Sequence, residues 1–390
     1  MTKRKRKNIK NVVKFTALIL TPLAFGFVGS AMPKINSLIQ KADNIVLYSR
    51  EQDPAKEPAV NEPYYAIKRK DDDEGTLYAN YDISEGFGYI DESAAYQPLP
   101  DDSTLNALVN DNPGPKPYPT EWKEGGQIVR NTYGKFSGTT YFNLQKAGQV
   151  HNLTSVSSGD LFIESNLIPE FSIELNSDEP QVLIYHTHTT ESFEPYVRSF
   201  YDAEFNYRTT DETKNVIMVG NEIQAQLEAV GIKTVHSTVI HDYPSYNGAY
   251  ERSAVTIKSI LAEHPSIKVV LDIHRDAIAD KNIAYQPFVE IDGKEAAQVM
   301  IISGCDDGNM NMPNYMKNFR LASLFQQQME SDYKGMTRPI LFDYRKYNQD
   351  LSTGGLLIEI GSHGNTLEQV QYSGQLVGAS IARTLTQLGE

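Results

Sequence analysis

Residues 180–193 read PQVLIYHTHTTESF, and this stretch decides the fold. After Pro180, Val182-Leu183-Ile184-Tyr185 is a short unbroken apolar run, as expected of a strand buried on both faces. The run stops abruptly at His186-Thr187-His188-Thr189-Thr190-Glu191. A strand apolar on both faces belongs to a sheet covered on both sides. In such sheets ligands bind beyond the C-terminal strand ends, where this burst of polar residues falls.

Working outward, the same alternation continues. Asp211 opens a helix whose apolar face is Val216, Val219, Ile223, Leu227 and Val230, and Gly231 stands where a helix C-terminus favours a left-handed residue. Ile232–Val235 predicts the next strand. A second helix carries Tyr250, Ala254, Ile257 and Leu261 and stops before Pro265. Further strands are expected at Val269–Ile273, Val299–Ser303 and Leu356–Ile360, with helices over 317–330 and 366–387. The expected fold class is α/β, a mostly parallel sheet flanked by helices on both faces.

Three of the predicted strands end in groups capable of chemistry. The strand at 182–185 runs into His186, His188 and Glu191, and that at 269–273 into His274-Arg275-Asp276. The third carries Glu359 near its end, before Gly361-Ser362-His363-Gly364-Asn365. Neutral imidazoles and carboxylates are the ligands of a catalytic zinc, three from the protein with a fourth position open. His188 and Glu191 are three apart, so one helical turn places both on one face, and His274 closes the set from 86 residues downstream. Either His186 or His188 can serve as the first ligand. Each residue also has a plainer reading: His186 and His188 as capping or solvent residues, His274 as a core histidine, Glu359 as a half-exposed strand residue. A buried glutamate without a partner is costly, which favours function if the strand is central. His151, His236, His241, His264 and His363 are expected at the surface or in loops, with His363, near Glu359, the foremost exception; Cys305 and Trp122 are expected as packing residues.

The N-terminal third has another character. Residues 1–14 form a basic tail with seven Lys and Arg and no acid, so the rest is more acidic than the −14 of the whole chain. An acidic body of this kind lacks the basic face that nucleic acid requires. Phe15–Met32 is uncharged and, at about 1.5 Å per residue, spans roughly 27 Å, enough to cross a hydrocarbon core. The preceding charges hold that end in the cytoplasm and export the body. A cleaved signal peptide is the rival, with Gly29-Ser30-Ala31 as small residues, but the run is longer than a usual signal core. The reading is thus a tail (1–14), a single-pass transmembrane anchor (15–34), a juxtamembrane helix with a proline- and charge-rich spacer (35–125), and a catalytic domain (126–390). Nine of the 19 prolines lie between 50 and 119, among them Pro113, Pro115, Pro117 and Pro119, a composition that favours an extended tether. One cysteine excludes an intramolecular disulfide and a cysteine-built zinc site.

Three segments, PQVLIYHTHTTESF (180–193), LDIHRDA (271–277) and KYNQDLSTGGLLIEIGSHGNTLEQ (346–369), resemble the stage II sporulation protein P family. The resemblance covers roughly 125–390 and extends to a relationship with the zinc-dependent N-acetylmuramoyl-L-alanine amidases. It implies an extracytoplasmic peptidoglycan hydrolase of sporulation, acting during engulfment in the mother-cell membrane with stage II sporulation proteins D and M. Its activity would be on the muramoyl–L-alanine amide, and in some members on peptide cross-links. The first zinc histidine of the amidases falls on His188, the later one on His274 and the catalytic glutamate on Glu359. Those amidases take a ligand glutamate from the start of the following helix, where this chain has Asp211, Glu212 and Lys214, so Glu191 or a later acid fills that role. Arg275 is a candidate second oxyanion donor or fork for a substrate carboxylate, with a structural ion pair as its plainer reading. Asp272 or Asp276 is a candidate to orient His274, and Asn348 and Gln349 are expected, on family grounds alone, to line the cleft. A zinc carboxypeptidase or endopeptidase acting on stem peptides, and a non-catalytic peptidoglycan-binding module, are the alternatives.

Overall fold

The computed structural model describes residues 114–280 and 282–389. The basic tail, anchor, juxtamembrane helix and most of the spacer lie outside them, and among the described residues no helix is long and apolar enough to cross a membrane. The strands are β1 Gly126–Asn131, β2 Tyr141–Asn143, β3 Gln149–Asn152, β4 Val182–Tyr185, β5 Phe200–Tyr201, β6 Thr234–His236, β7 Val269–Asp276, β8 Ala279–Asp280, β9 Ile283–Ile291, β10 Lys294–Ala297, β11 Val299–Gly304, β12 Ile340–Asp343 and β13 Gly355–Ser362. The helices are α1 Ser158–Glu164, α2 Val216–Glu228, α3 Ala249–Glu263, α4 Tyr315–Asp332 and α5 Leu367–Gln387, with a 3-10 turn at Gln349–Leu351.

Eight strands form the main sheet in the order β2-β3-β12-β11-β13-β7-β4-β6. Its half β13-β7-β4-β6 is parallel throughout, and so is β3-β12-β11; the β11–β13 and β2–β3 pairings are antiparallel. The expected mostly parallel sheet is therefore present, as two parallel blocks of opposite sense. Both faces are covered. Ile184, Leu271 and Ile358 share a core with Val219, Phe325 and Val377 of α2, α4 and α5. On the other face, Leu183, Tyr185 and Val270 pack with Ile257 of α3. Because β13, β7 and β4 are neighbours and parallel, their C-terminal ends open on one edge, and this brings residues 186–191, 274–276 and 359–362 into proximity.

Termination signals read as expected from the sequence. Asn215, four residues beyond the anticipated Asp211, caps α2 by accepting from Ile217 N, and Gly231 takes φ 80° past its end. Thr366 and Gln369 form a reciprocal capping box at the start of α5.

A second sheet had no counterpart in the sequence reading. Its strands run β10-β9-β1-β5, with β8 paired to β9, and β1 lies parallel to β9. Ile128, Tyr201, Phe205, Tyr207 and Ala284 form its small core with Tyr118 and Trp122, and the Arg198 guanidinium stacks 4.1 Å over Trp122. Residues 114–125, read from sequence as the end of the spacer, lie along the body here: Lys116 N donates to Thr210 Oγ1 at 2.8 Å and Tyr118 Oη to the Phe193 carbonyl at 2.6 Å.

Candidate active site

The turn after β4 is built by threonines. Thr187 donates from its amide and hydroxyl to the two oxygens of Asp272, at 2.8 and 2.7 Å, and Thr190 does the same to Asp242 at 3.0 and 2.6 Å. Glu191 N donates to the His188 carbonyl at 3.0 Å, which closes the turn and sets both side chains toward the end of β7. There the rings of His188 and His274 stand edge to face with centroids 5.3 Å apart. Glu191 Oε2 lies 3.4 Å from His274 Nδ1 and accepts from the Arg275 amide at 3.1 Å, while Oε1 faces Arg208 at 3.4 Å.

Burial alone would raise the Glu191 carboxyl, but Arg275, His274 and Arg208 outweigh it and hold the group well below the usual range. Burial, with Arg208 adding, drives His188 well below its ordinary value and keeps it neutral. For His274 burial works in the same direction, yet Asp272 and Glu191 prevail and raise it. His274 Nε2 is 2.8 Å from Asp272 Oδ1, close enough for an ion pair though without the alignment of a hydrogen bond.

Glu359 enters from the neighbouring strand, in register with His274. Between Glu359 and Ser362, β13 carries one residue more than β7 does between His274 and Asp276, so the strand bulges at Gly361 with φ 63°. A β-carbon at Gly361 would come within 2.7 Å of Asn365 Oδ1 and Ala297 Cβ, so only glycine fits the bulge. Burial, reinforced by Asp276, pushes the Glu359 carboxyl up to about 8 against the pull of His274. Its Oε2 is buried without a hydrogen-bond partner, and so is His188 Nδ1.

The other sequence candidates divide between the edge of this cluster and places apart from it. His186 is fully buried, but both ring nitrogens are engaged: Nδ1 with the Ile273 carbonyl and Nε2 with His236 Nε2, each at 2.8 Å. Arg275 turns its guanidinium to the carbonyls of Ser192 and Tyr207, both at 3.3 Å, inside the protein. Asp276 pairs with Arg338 at 2.7 Å, leaving Asp272 as the carboxylate beside His274. Asn348, at φ 55°, ties to the Tyr250 carbonyl and Ser253 at the start of α3. Gln349 is buried and spent on Gly304 N and the Ile302 carbonyl, away from the histidines. Asp211 and Glu212 are exposed.

Several residues near the site gave no sequence signal. Tyr246 Oη is 3.1 Å from His188 Nε2, and the two rings stack at 4.6 Å. Arg208 bridges Glu191 and Asp242. Of the five histidines expected at the surface or in loops, His241 and His363 do lie in irregular segments but are buried, whereas His151 is buried within β3 and His236 half-buried within β6. β3 and β6 are too short to show a period, and the two buried loop positions have none.

Among the described residues no group of three or more His, Cys, Asp or Glu side chains is arranged as it stands to hold a metal ion. The donor chemistry nevertheless suits zinc. Two donors at about 2.1 Å from a tetrahedral ion stand about 3.4 Å apart, the separation of His274 Nδ1 and Glu191 Oε2. The neutral Nδ1 of His188, buried without a hydrogen-bond partner, would be the third donor.

Fold and site together define an α/β protein with two histidines and two glutamates gathered at the ends of three adjacent parallel strands. Residues 124–382 match the family model of stage II sporulation protein P, and the chain belongs to that family. It is 31% identical over 209 residues to stage II sporulation protein P of Bacillus subtilis (strain 168), a match covering 51% of this chain and 49% of the relative, so the alignment spans about half of that protein's length. Among solved structures, it is similar to N-acetylmuramoyl-L-alanine amidase AmiC2 of Nostoc punctiforme, with TM-score 0.34, 12% identity, and coverage of 53% of this chain and 96% of that one. The CwlD amidase from Clostridioides difficile, solved in complex with the GerS lipoprotein, gives TM-score 0.33 and 9% identity over 53% of this chain and 98% of the other. At these values neither structure bears on the chemistry.

Proposed function

We propose that this protein is a zinc-dependent peptidoglycan hydrolase of sporulation that cleaves the N-acetylmuramoyl–L-alanine amide. The observation that carries the reading is the buried, unpartnered His188 Nδ1 beside His274 and Glu191, next to a second orphan, Glu359 Oε2. Buried polar atoms without partners are costly, and two in one cluster point to a ligand or reactant between them.

His188, Glu191 and His274 would hold the ion, with Asp272 orienting His274 from behind. What bound zinc supplies is Lewis-acid polarisation of a carbonyl and activation of water near neutral pH. Glu359 is the proton carrier: ionised, it takes a proton from water at Oε2, then delivers it to the nitrogen of the departing amine. Its raised proton affinity suits the second half of that cycle. Arg275 acts by keeping the Glu191 carboxylate ionised and in place.

The single-pass anchor at 15–34, an extracytoplasmic site at the engulfing membrane and an assembly with stage II sporulation proteins D and M are part of this proposal, supported by family membership. Digestion of purified sacculi by the full chain tests the reaction. Intact stem peptides freed from glycan, abolished by a zinc chelator and restored by zinc, are the expected products. Peptides cut between stem residues would assign the centre to an endopeptidase instead. No release with zinc bound would leave a wall-binding module.

A further inference from the structure

Tyr246 touches one proposed ligand directly and reaches the other through a single residue. Its hydroxyl meets His188 Nε2 at 3.1 Å and its ring stacks on the imidazole at 4.6 Å. The Arg208 guanidinium carbon lies 4.6 Å from the centroid of the same Tyr246 ring. From there Arg208 reaches Glu191 Oε1 at 3.4 Å and Asp242 Oδ2 at 2.5 Å, and Asp242 in turn grips the amide and hydroxyl of Thr190. Two loops, 202–215 and 237–248, thus hold His188, Thr190 and Glu191 from one side.

The geometry points to Tyr246 as a positioning residue that presents His188 Nδ1 to the metal, an inference that rests on the zinc reading above. An imidazole that ligates through Nδ1 must carry its proton on Nε2, and a ligating histidine normally donates that proton to a fixed acceptor. The Tyr246 hydroxyl oxygen occupies the acceptor position. Stacking fixes the rotation of the imidazole about its own axis, which a point acceptor alone does not. On the other ligand histidine the matching place belongs to Asp272, so the two imidazoles are oriented by unlike groups, a phenol and a carboxylate.

The test compares the unaltered full chain with Tyr246→Phe, which retains the ring and removes the hydroxyl. Two readouts are taken: the 15N resonance of His188 Nε2 in metal-free, histidine-labelled protein, and the zinc Kd by competition with a chromophoric chelator. A shifted Nε2 resonance together with a Kd weakened about 10- to 100-fold is the expected result. An Nε2 resonance identical in the two proteins, or a Kd within twofold, overturns the inference. If the unaltered chain binds no zinc while the resonance still moves, the zinc reading fails and the orientation of His188 by Tyr246 stands. In unaltered, zinc-loaded protein a proton found on His188 Nδ1 overturns it without any variant.

Discussion

His186 and His188 are two residues apart, both buried, both at the end of the same strand, and their surroundings are opposite. Around His186 every ring nitrogen is matched. Its own two meet Ile273 and His236, His236 Nδ1 faces Asn221 at 3.1 Å, and His241 bonds the His186 carbonyl and Thr256 at 2.7 and 2.9 Å. Even the helix above makes room: a β-carbon on Gly220 would lie 2.5 Å from His236 Nε2. Around His188 the hydrogen bonding is incomplete at its own Nδ1, at His274 Nε2 and at Glu359 Oε2. Satisfied buried networks rigidify, whereas unsatisfied atoms in a cluster await something. On the proposed function, the first group is architecture and the second chemistry.

The largest effect expected from breaking this comparison is on metal binding. His188→Ala and His274→Ala should each abolish stoichiometric zinc and wall digestion. His186→Gln should retain zinc, its cost falling on stability at roughly 1–3 kcal/mol for the stranded partner groups; zinc content beside thermal unfolding decides it. Next comes Glu359→Gln, expected to keep the metal while lowering the rate of stem-peptide release about 10²- to 10⁴-fold. Activity near the unaltered level would remove Glu359 from the mechanism.

Within the matched group, Gly220→Ala should sharpen the contrast. A helix interior ordinarily prefers alanine, yet here the methyl collides with the His186–His236 pair, and overpacking of this kind costs roughly 1–3 kcal/mol. Chemical denaturation should show the loss, with zinc content unchanged.

The smallest effect concerns pH. Burial raises the Glu194 carboxyl to about 7, despite Tyr207 and Arg198. A carboxyl raised on folding favours the native state while protonated, so its contribution is complete below its unfolded value near 4.5 and fades as pH climbs through 7. Glu194→Gln should therefore show a smaller fall in Tm between pH 5 and pH 8 than the unaltered chain, measured without metal in both.

Much of this was legible in the sequence for a physical reason. β4, β7 and β13 are buried on both faces, so they read as apolar runs, and a polar residue at such a strand's end stands out. That is why His188, Glu191, His274 and Glu359 could be singled out from their positions. Tyr246, Arg208 and Asp242 could not, because they sit in irregular loops where no period exists, and each meets its partner across 17 to 58 residues. The second sheet was hidden for a related reason. β1 pairs in parallel with β9 across more than 150 residues, and β9 holds Pro287 and Gln286 where an apolar pattern would otherwise show. Arg275 and Gln349 illustrate the remaining limit, since sequence position told nothing of which way either side chain turns.

The most direct measurement is anomalous diffraction at the zinc edge from crystals of the zinc-loaded protein. The account predicts one strong peak within bonding distance of the imidazoles of both His188 and His274, with the Glu191 carboxylate as the third ligand. A peak at His186 and His236, or ordered zinc nowhere near residue 188, would contradict it.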